Sequence, residues 1–221
     1  MAKAIKRSDE KVLQMYYNAI DYYEKNKKIV WSIITGIIVV VVVIFIYLRN
    51  QAAKSETAAL ELDKAKTAFM NNEYQKAIYG DSLGISKGLL YVVENYGSTE
   101  SGETAKIMLA QSFYALRDFN SALIYFKDYG GKDYILKSTS IAGIGMVYDA
   151  NGDYKNAAEY FEKASKVAKD NFKNEEYIYN SIRCYFYAKD TDNLKRIIKE
   201  FKTEYPKSKY LAEINRYDPP N

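Results

Sequence analysis

Histidine is absent from this chain of 221 residues. Its absence removes Ser-His and Cys-His nucleophile pairs, the usual zinc sites and the commonest general base near neutral pH. Cys184 is the only cysteine, so no disulfide can form within the chain. A helical core of this size stands without one, in an oxidising compartment as well as a reducing one. Only 3 prolines and 11 glycines punctuate the sequence, which favours long helices. No strand pattern leads into a glycine-rich phosphate loop. The carboxylate pairs Glu175-Glu176 and Asp190/Asp192 fall at expected helix starts, where acidic residues serve as caps. Cys184 sits in an apolar-rich helical stretch and is expected to pack as a small hydrophobe. The chain is therefore expected to have no catalytic centre, metal, cofactor or small-molecule substrate.

Charge of one sign is also scarce where it would matter for nucleic acid. The 32 basic and 28 acidic residues leave a net charge of +4. Residues 1–28 hold seven of the basic and four of the acidic ones, a net of +3; residues 49–221 hold 25 and 24, a net of +1. A nearly neutral large domain lacks the basic stripe that a nucleic-acid binder needs. What the chain has in excess is tyrosine, 23 residues, suited to filling grooves between packed helices.

Ile29 to Leu48 reads as twenty residues without a charge, with Trp31 near one end and Tyr47 at the other. At about 1.5 Å per residue such a helix measures roughly 30 Å, the thickness of a bilayer's hydrocarbon core. A cleavable signal fits poorly, because the run is long and is followed by Arg49-Asn50-Gln51, not by a small-x-small site. Lys25, Lys27 and Lys28 flank its N-terminal end, with Lys3, Lys6, Arg7 and Lys11 behind them, against Arg49, Lys54, Lys64 and Lys66 beyond it. This bias predicts a cytoplasmic N-terminus and a large domain on the far side. The organisation expected is a basic amphipathic helix over 1–28, a span over 29–48 and an extracytoplasmic domain over 49–221.

The leading segment carries a helical pattern of its own. Ser8 stands where a cap would, Asp9 and Glu10 where a first turn would follow. Val12, Tyr16, Ala19, Ile20 and Tyr23 fall on one face. That face suits an inner leaflet or a cytoplasmic partner; equally, the helix extends the span and stabilises its end.

The far-side domain repeats. Leu109 to Phe126 aligns with Ile144 to Phe161, and the small residues Ala110 and Gly145 lie 145 − 110 = 35 positions apart, near the 34-residue tetratricopeptide period. In the second copy Gly145 and Ala157 are the small residues, Tyr148, Tyr154 and Phe161 the aromatics around them, and Gly152-Asp153 the turn. Ala164 follows in the same pattern. A third copy runs from Ile182-Arg183-Cys184-Tyr185 through a Lys189-Asp190 turn to Leu194, Phe201 and Tyr205-Pro206; Thr191 and Leu194 stand where an aromatic and an alanine recur elsewhere. An earlier copy places Ala65 and Ala68 before a turn at Asn72, then Tyr74 and Ala77. Its second helix is broken by Gly80-Asp81-Ser82-Leu83-Gly84 and resumes over Lys87–Tyr96 until Gly97. The fold class expected is all-α: an amphipathic helix and one transmembrane helix, then a tetratricopeptide-repeat α-solenoid of about four helix pairs.

A basic leading helix, one span and a repeat array with a glycine-rich break before GLLYVVENYGS resembles the ancillary SecYEG translocon subunit family. That family is grouped with the repeat domain of a periplasmic cell-division coordinator. The resemblance implies a bacterial inner-membrane protein with periplasmic repeats, which meets translocon subunits and passes exported clients to periplasmic chaperones. A membrane-tethered scaffold for envelope assembly or cell division is the alternative. An organelle-surface adaptor with cytosolic repeats fits the charge bias less well.

Stacked repeats present the first helix of each pair along a concave surface. Counting from the packing positions, that surface is expected to carry Thr104, Ile107, Gln111 and Tyr114, then Thr139, Met146 and Asp149, then Glu176, Tyr179, Arg183 and Phe186. The mixture of aromatic, aliphatic and polar groups suits a protein-binding groove. It does not suit a clamp for a C-terminal carboxylate, since the comparable places hold Ile107, Gln111, Gly143 and Glu176.

Overall fold

The computed structural model describes residues 2–168 and 171–218, and every regular element among them is an α-helix. In order these are α1 (Ala2–Lys25), α2 (Lys27–Met70), α3 (Tyr74–Tyr79), α4 (Gly88–Tyr96), α5 (Glu100–Ala115) and α6 (Phe119–Lys127). They continue with α7 (Tyr134–Ala150), α8 (Tyr154–Val167), α9 (Asn174–Tyr187), α10 (Thr191–Glu204) and one short turn, α11 (Leu211–Ile214). The chain divides into two compact units, Met1–Ala53 and Lys54–Asn221.

The first unit holds α1 and residues 27–53 of α2. α2 is long and apolar enough to cross a membrane. The hydroxyl of Thr35 donates to the Trp31 carbonyl at 2.8 Å, so its polar group is satisfied inside the helix. α1 begins at Ala2, upstream of the expected cap. Ser8 therefore lies within the helix; the Ala, Lys and Arg residues ahead of it are strong helix formers and carry the helix back past it.

The second unit is built on one recurring turn. Each first helix closes through a residue in the left-handed region: Asn72 (φ 60°), Arg117 (63°), Gly152 (77°) and Lys189 (58°). The next amide then reaches back across the last turn. Glu73 N–H donates to Ala68 O at 2.9 Å, Asp118 to Phe113 O at 2.9 Å, Asp153 to Tyr148 O at 2.9 Å and Asp190 to Tyr185 O at 3.1 Å. These bonds satisfy carbonyls that a helix end leaves unpaired. In the last three turns the same aspartate caps the second helix, accepting from Ser121, Asn156 and Asn193 N–H at 3.1, 3.3 and 3.2 Å.

Small residues set the closeness of the helix pairs. A Cβ on Gly145 would lie 3.2 Å from the Phe161 ring and 3.3 Å from the Ala157 carbonyl, and Ala157 is fully buried. The break after α3 is a compact loop. Asp81 accepts from the amides of Ile85 (3.0 Å) and Ser86 (2.8 Å). Gly80 and Gly88 take φ of 89° and 84° where any Cβ would overlap the facing backbone.

One polar cluster, centred on the buried carboxylate of Glu162, ties α8, α9 and α10 together. The Glu162 carboxylate accepts a two-pronged pair from Arg196, at 3.0 and 2.8 Å, and further bonds from Lys166 (2.5 Å) and Tyr185 (3.0 Å). Burial pushes the pKa of this group up, but the three donors outweigh it and hold the carboxyl at about 2.

Candidate protein-binding groove

The groove arises where first helices of successive pairs stand side by side. A cleft of about 360 Å³ is lined by Phe69 and Tyr74 from the first pair, Gln111 and Tyr114 from α5, Thr139, Gly143 and Met146 from α7, and Glu176 and Asn180 from α9, with Lys173 at its edge. Phe126, Phe161 and Tyr177 form deeper parts of its wall. Gly143 permits this depth: a Cβ there would overlap the buried Phe126 ring. The lining is aromatic and aliphatic with a few amide and charged groups, the composition of a surface that takes up another chain's side chains.

Tyr114 sits at the centre of the arrangement. Its ring packs at 5.4 Å, tilted by 50°, on Phe119. Burial pushes its hydroxyl pKa up, and the nearby Asp149 carboxylate adds to this while Arg183 opposes it. Asp149 of α7 and Arg183 of α9 form an ion pair across adjacent first helices. The Cys184 thiol lies 3.7 Å from the same carboxylate. Burial first, then that carboxylate, raises the thiol's pKa to about 12, so Cys184 is an inert packing residue.

Of the eleven groove positions read from the sequence, Gln111, Tyr114, Thr139, Met146 and Glu176 line this one cleft. Asp149 and Arg183 engage each other. The remaining four lie elsewhere. Ile107 is 3% exposed and belongs to the core, because α5 is packed by α4, α6 and α7 at once. The extra helix α4 follows the glycine-rich break, and it gives α5 a second covered face. Thr104 borders a separate cleft of about 500 Å³ with Glu100, Tyr129 and the 130–133 loop. That loop is held by Glu103, which accepts from Gly130 N–H at 2.8 Å. Lys106 helps, donating to Glu103 and to the Asp128 carbonyl at 3.0 and 3.1 Å.

Tyr179 and Phe186 are engaged by the chain's own C-terminal segment. Tyr179 stacks on Tyr210 with ring centroids 4.7 Å apart, and its hydroxyl donates to Glu213 at 2.6 Å. Phe186 meets Tyr217 at 5.1 Å. This segment covers the face of α9 with a polar outer side, as a capping element does; Ile214 is buried there while Glu213, Asn215 and Arg216 face outward.

The sequence reading named Gly143 only as a place that rules out a carboxylate clamp, and it missed Phe69, Tyr74, Lys173 and Asn180 as lining residues; the turn register places Phe69, Gly143 and Asn180. Phe69 stands four places before Glu73, as Tyr114 stands four before Asp118. Gly143 and Asn180 each stand ten before Asp153 and Asp190.

No protein-family model matches this chain, and no curated protein matches it. Among solved structures, it is similar to the TPR-like repeats of a putative kinesin light chain from Podosopora anserina. Two crystal structures of that protein, one of them of a single-substitution variant, align with a TM-score of 0.55. They share 13% and 14% sequence identity with this chain, over 75% of its length and 84% and 88% of theirs. At such identity the likeness is one of fold: the chain carries a tetratricopeptide-type repeat array.

Proposed function

We propose that this chain is a membrane-anchored protein-binding module, without enzymatic activity, that works as an accessory subunit of the Sec translocon. In this reading α2 is the anchor, crossing a bacterial inner membrane over residues 29–48. Residues 1–28 stay in the cytoplasm and residues 49–221 form a periplasmic repeat domain that links exported proteins to periplasmic chaperones. The observation that carries the binding role is the cleft around Tyr114, into which three successive first helices direct Gln111, Tyr114, Thr139, Met146 and Glu176. The orientation rests on the lysines before the span, and the translocon on the resemblance of the whole layout.

Photo-crosslinkable residues at Met146 and Thr139, introduced in cells of the source organism, test the role directly. Capture of translocon subunits together with export chaperones supports it. Capture confined to envelope-assembly or cell-division proteins moves the chain to the scaffold alternative, and capture only from positions in the span removes the groove from the mechanism. Orientation is read separately: protease added to intact spheroplasts should digest the repeat domain, and digestion only after lysis reverses the topology.

A further inference from the structure

α1 and α2 do not form one continuous helix. Asn26 N–H donates to Tyr22 O at 3.0 Å, closing α1, and Val30 N–H donates to Asn26 O at 3.0 Å, opening α2. The regular helix is interrupted at Asn26 alone, between the last residue of α1, Lys25, and the first of α2, Lys27. The Asn26 side-chain amide donates to the Tyr22 carbonyl at 3.0 Å. An interruption in a helix, with a side chain bonded into its last turn, is a place where the axis can change direction.

The helix on the far side of this junction is amphipathic, with Leu13, Tyr17 and Tyr22 at the flanks of its two faces. At 100° per residue, Val12, Met15, Tyr16, Ala19, Ile20 and Tyr23 occupy an arc of about half the circumference, and Lys11, Gln14, Asn18, Asp21 and Lys25 the opposite one. The apolar side chains have no cover: Val12 is 65% exposed, Met15 74% and Tyr16 61%. On the polar face Lys25 pairs with Asp21 at 2.7 Å. An unpartnered apolar face of this breadth needs an occupant.

We infer that α1 lies flat on the bilayer, its apolar face, with Tyr16 and Tyr23 on it and Tyr17 and Tyr22 at its flanks, sunk into the headgroup layer at the end of the span nearest Lys27. The breadth of the face argues for lipid over a second copy, since a helical dimer seam uses a narrow stripe of alternating aliphatic residues. Tyrosines prefer the interface, with ring in the apolar layer and hydroxyl in water. The net charge of +3 over residues 1–28 complements anionic headgroups. α1 is joined to α2 by the single residue Asn26, so the surface is within reach without a linker. The inference rests on α2 crossing the membrane. Bending at Asn26 would set the arm across the axis of the span and hold that end of it at fixed depth.

Site-directed spin labelling of the full chain in nanodiscs of mixed zwitterionic and anionic lipid tests this, on a Cys184→Ala background. Labels replace Tyr16 on the apolar face, Asn18 on the polar face and Val42 within the span. The Tyr16 label should lose access to a water-soluble nickel relaxant and gain access to oxygen, while the Asn18 label shows the reverse. Equal exposure of Tyr16 and Asn18, with Val42 still shielded, overturns the inference and leaves the span intact. Dipolar broadening between Tyr16 labels in one disc shows that a second copy covers the face, and also overturns it. Exposure of Val42 removes the span itself, and the inference falls with it.

Discussion

Protonating Glu162 should loosen the second half of the repeat array. Its carboxyl is held at about 2 against an ordinary value of 4.5, a difference of about 2.5 units, or about 3 kcal/mol at 1.36 kcal/mol per unit. Lys166 and Arg196 are 62% and 39% exposed, and solvent screening of those partners brings the contribution to about 2 kcal/mol. The sign follows from the depressed folded pKa. The stabilisation is full above the unfolded value near 4.5 and drains away as pH falls from there toward 2. Other carboxylates titrate in the same window, so the quantity to measure is a difference. Urea unfolding of residues 54–221 from pH 7 to pH 2.5, for the parent and for Glu162→Gln, should give curves that converge as pH falls. Parallel curves would refute the assignment of this ion cluster. Arg196→Met, which leaves the carboxylate with Lys166 and Tyr185 as its remaining donors, should cost about 1 kcal/mol at pH 7. Pairing it with Glu162→Gln should recover part of that loss, because the less well paired charge is then gone.

Three other perturbations read the repeat and its groove. Tyr114→Ala combined with Met146→Ala should weaken partner capture by about 2 kcal/mol, roughly 30-fold in affinity, with the helical signal retained; a folded double variant that captures partners as the parent does would remove these residues from the interface. Ala157→Leu inserts three heavy atoms where Gly145 and Phe161 leave no room, and should cost about 2 kcal/mol and lower the melting temperature by roughly 4–8 °C; an unchanged melting point would mean the helix pair is misplaced. Lys189→Gly relieves a left-handed lysine at φ 58° and should stabilise the domain by about 0.5–1 kcal/mol once glycine's extra unfolded-state freedom is counted; a lower denaturation midpoint would contradict the strained turn.

What could be read without coordinates was whatever neighbours in sequence decide. The turns at Asn72, Gly152-Asp153 and Lys189-Asp190 announce themselves because left-handed residues and aspartate caps act within four or five positions. The spacing of Ala110 and Gly145 reports a period, and the uncharged run from Ile29 to Leu48 needs only composition and length. The groove was half legible for the same reason: Gln111, Tyr114, Thr139, Met146 and Glu176 keep the register of those turns, and the cleft contains them. Tertiary packing decided the rest, because coverage of a helix face depends on chain segments far along the sequence. Ile107 left the groove when α4 closed over α5, and the insertion that precedes α4 breaks the period that would have warned of it. Tyr179 and Phe186 were taken by Tyr210 and Tyr217, about thirty residues on. The ion pairs Asp149–Arg183 and Glu162–Arg196 each join residues 34 apart. Charge alone does not single out those partners; the stacking of one repeat on the next brings them within reach.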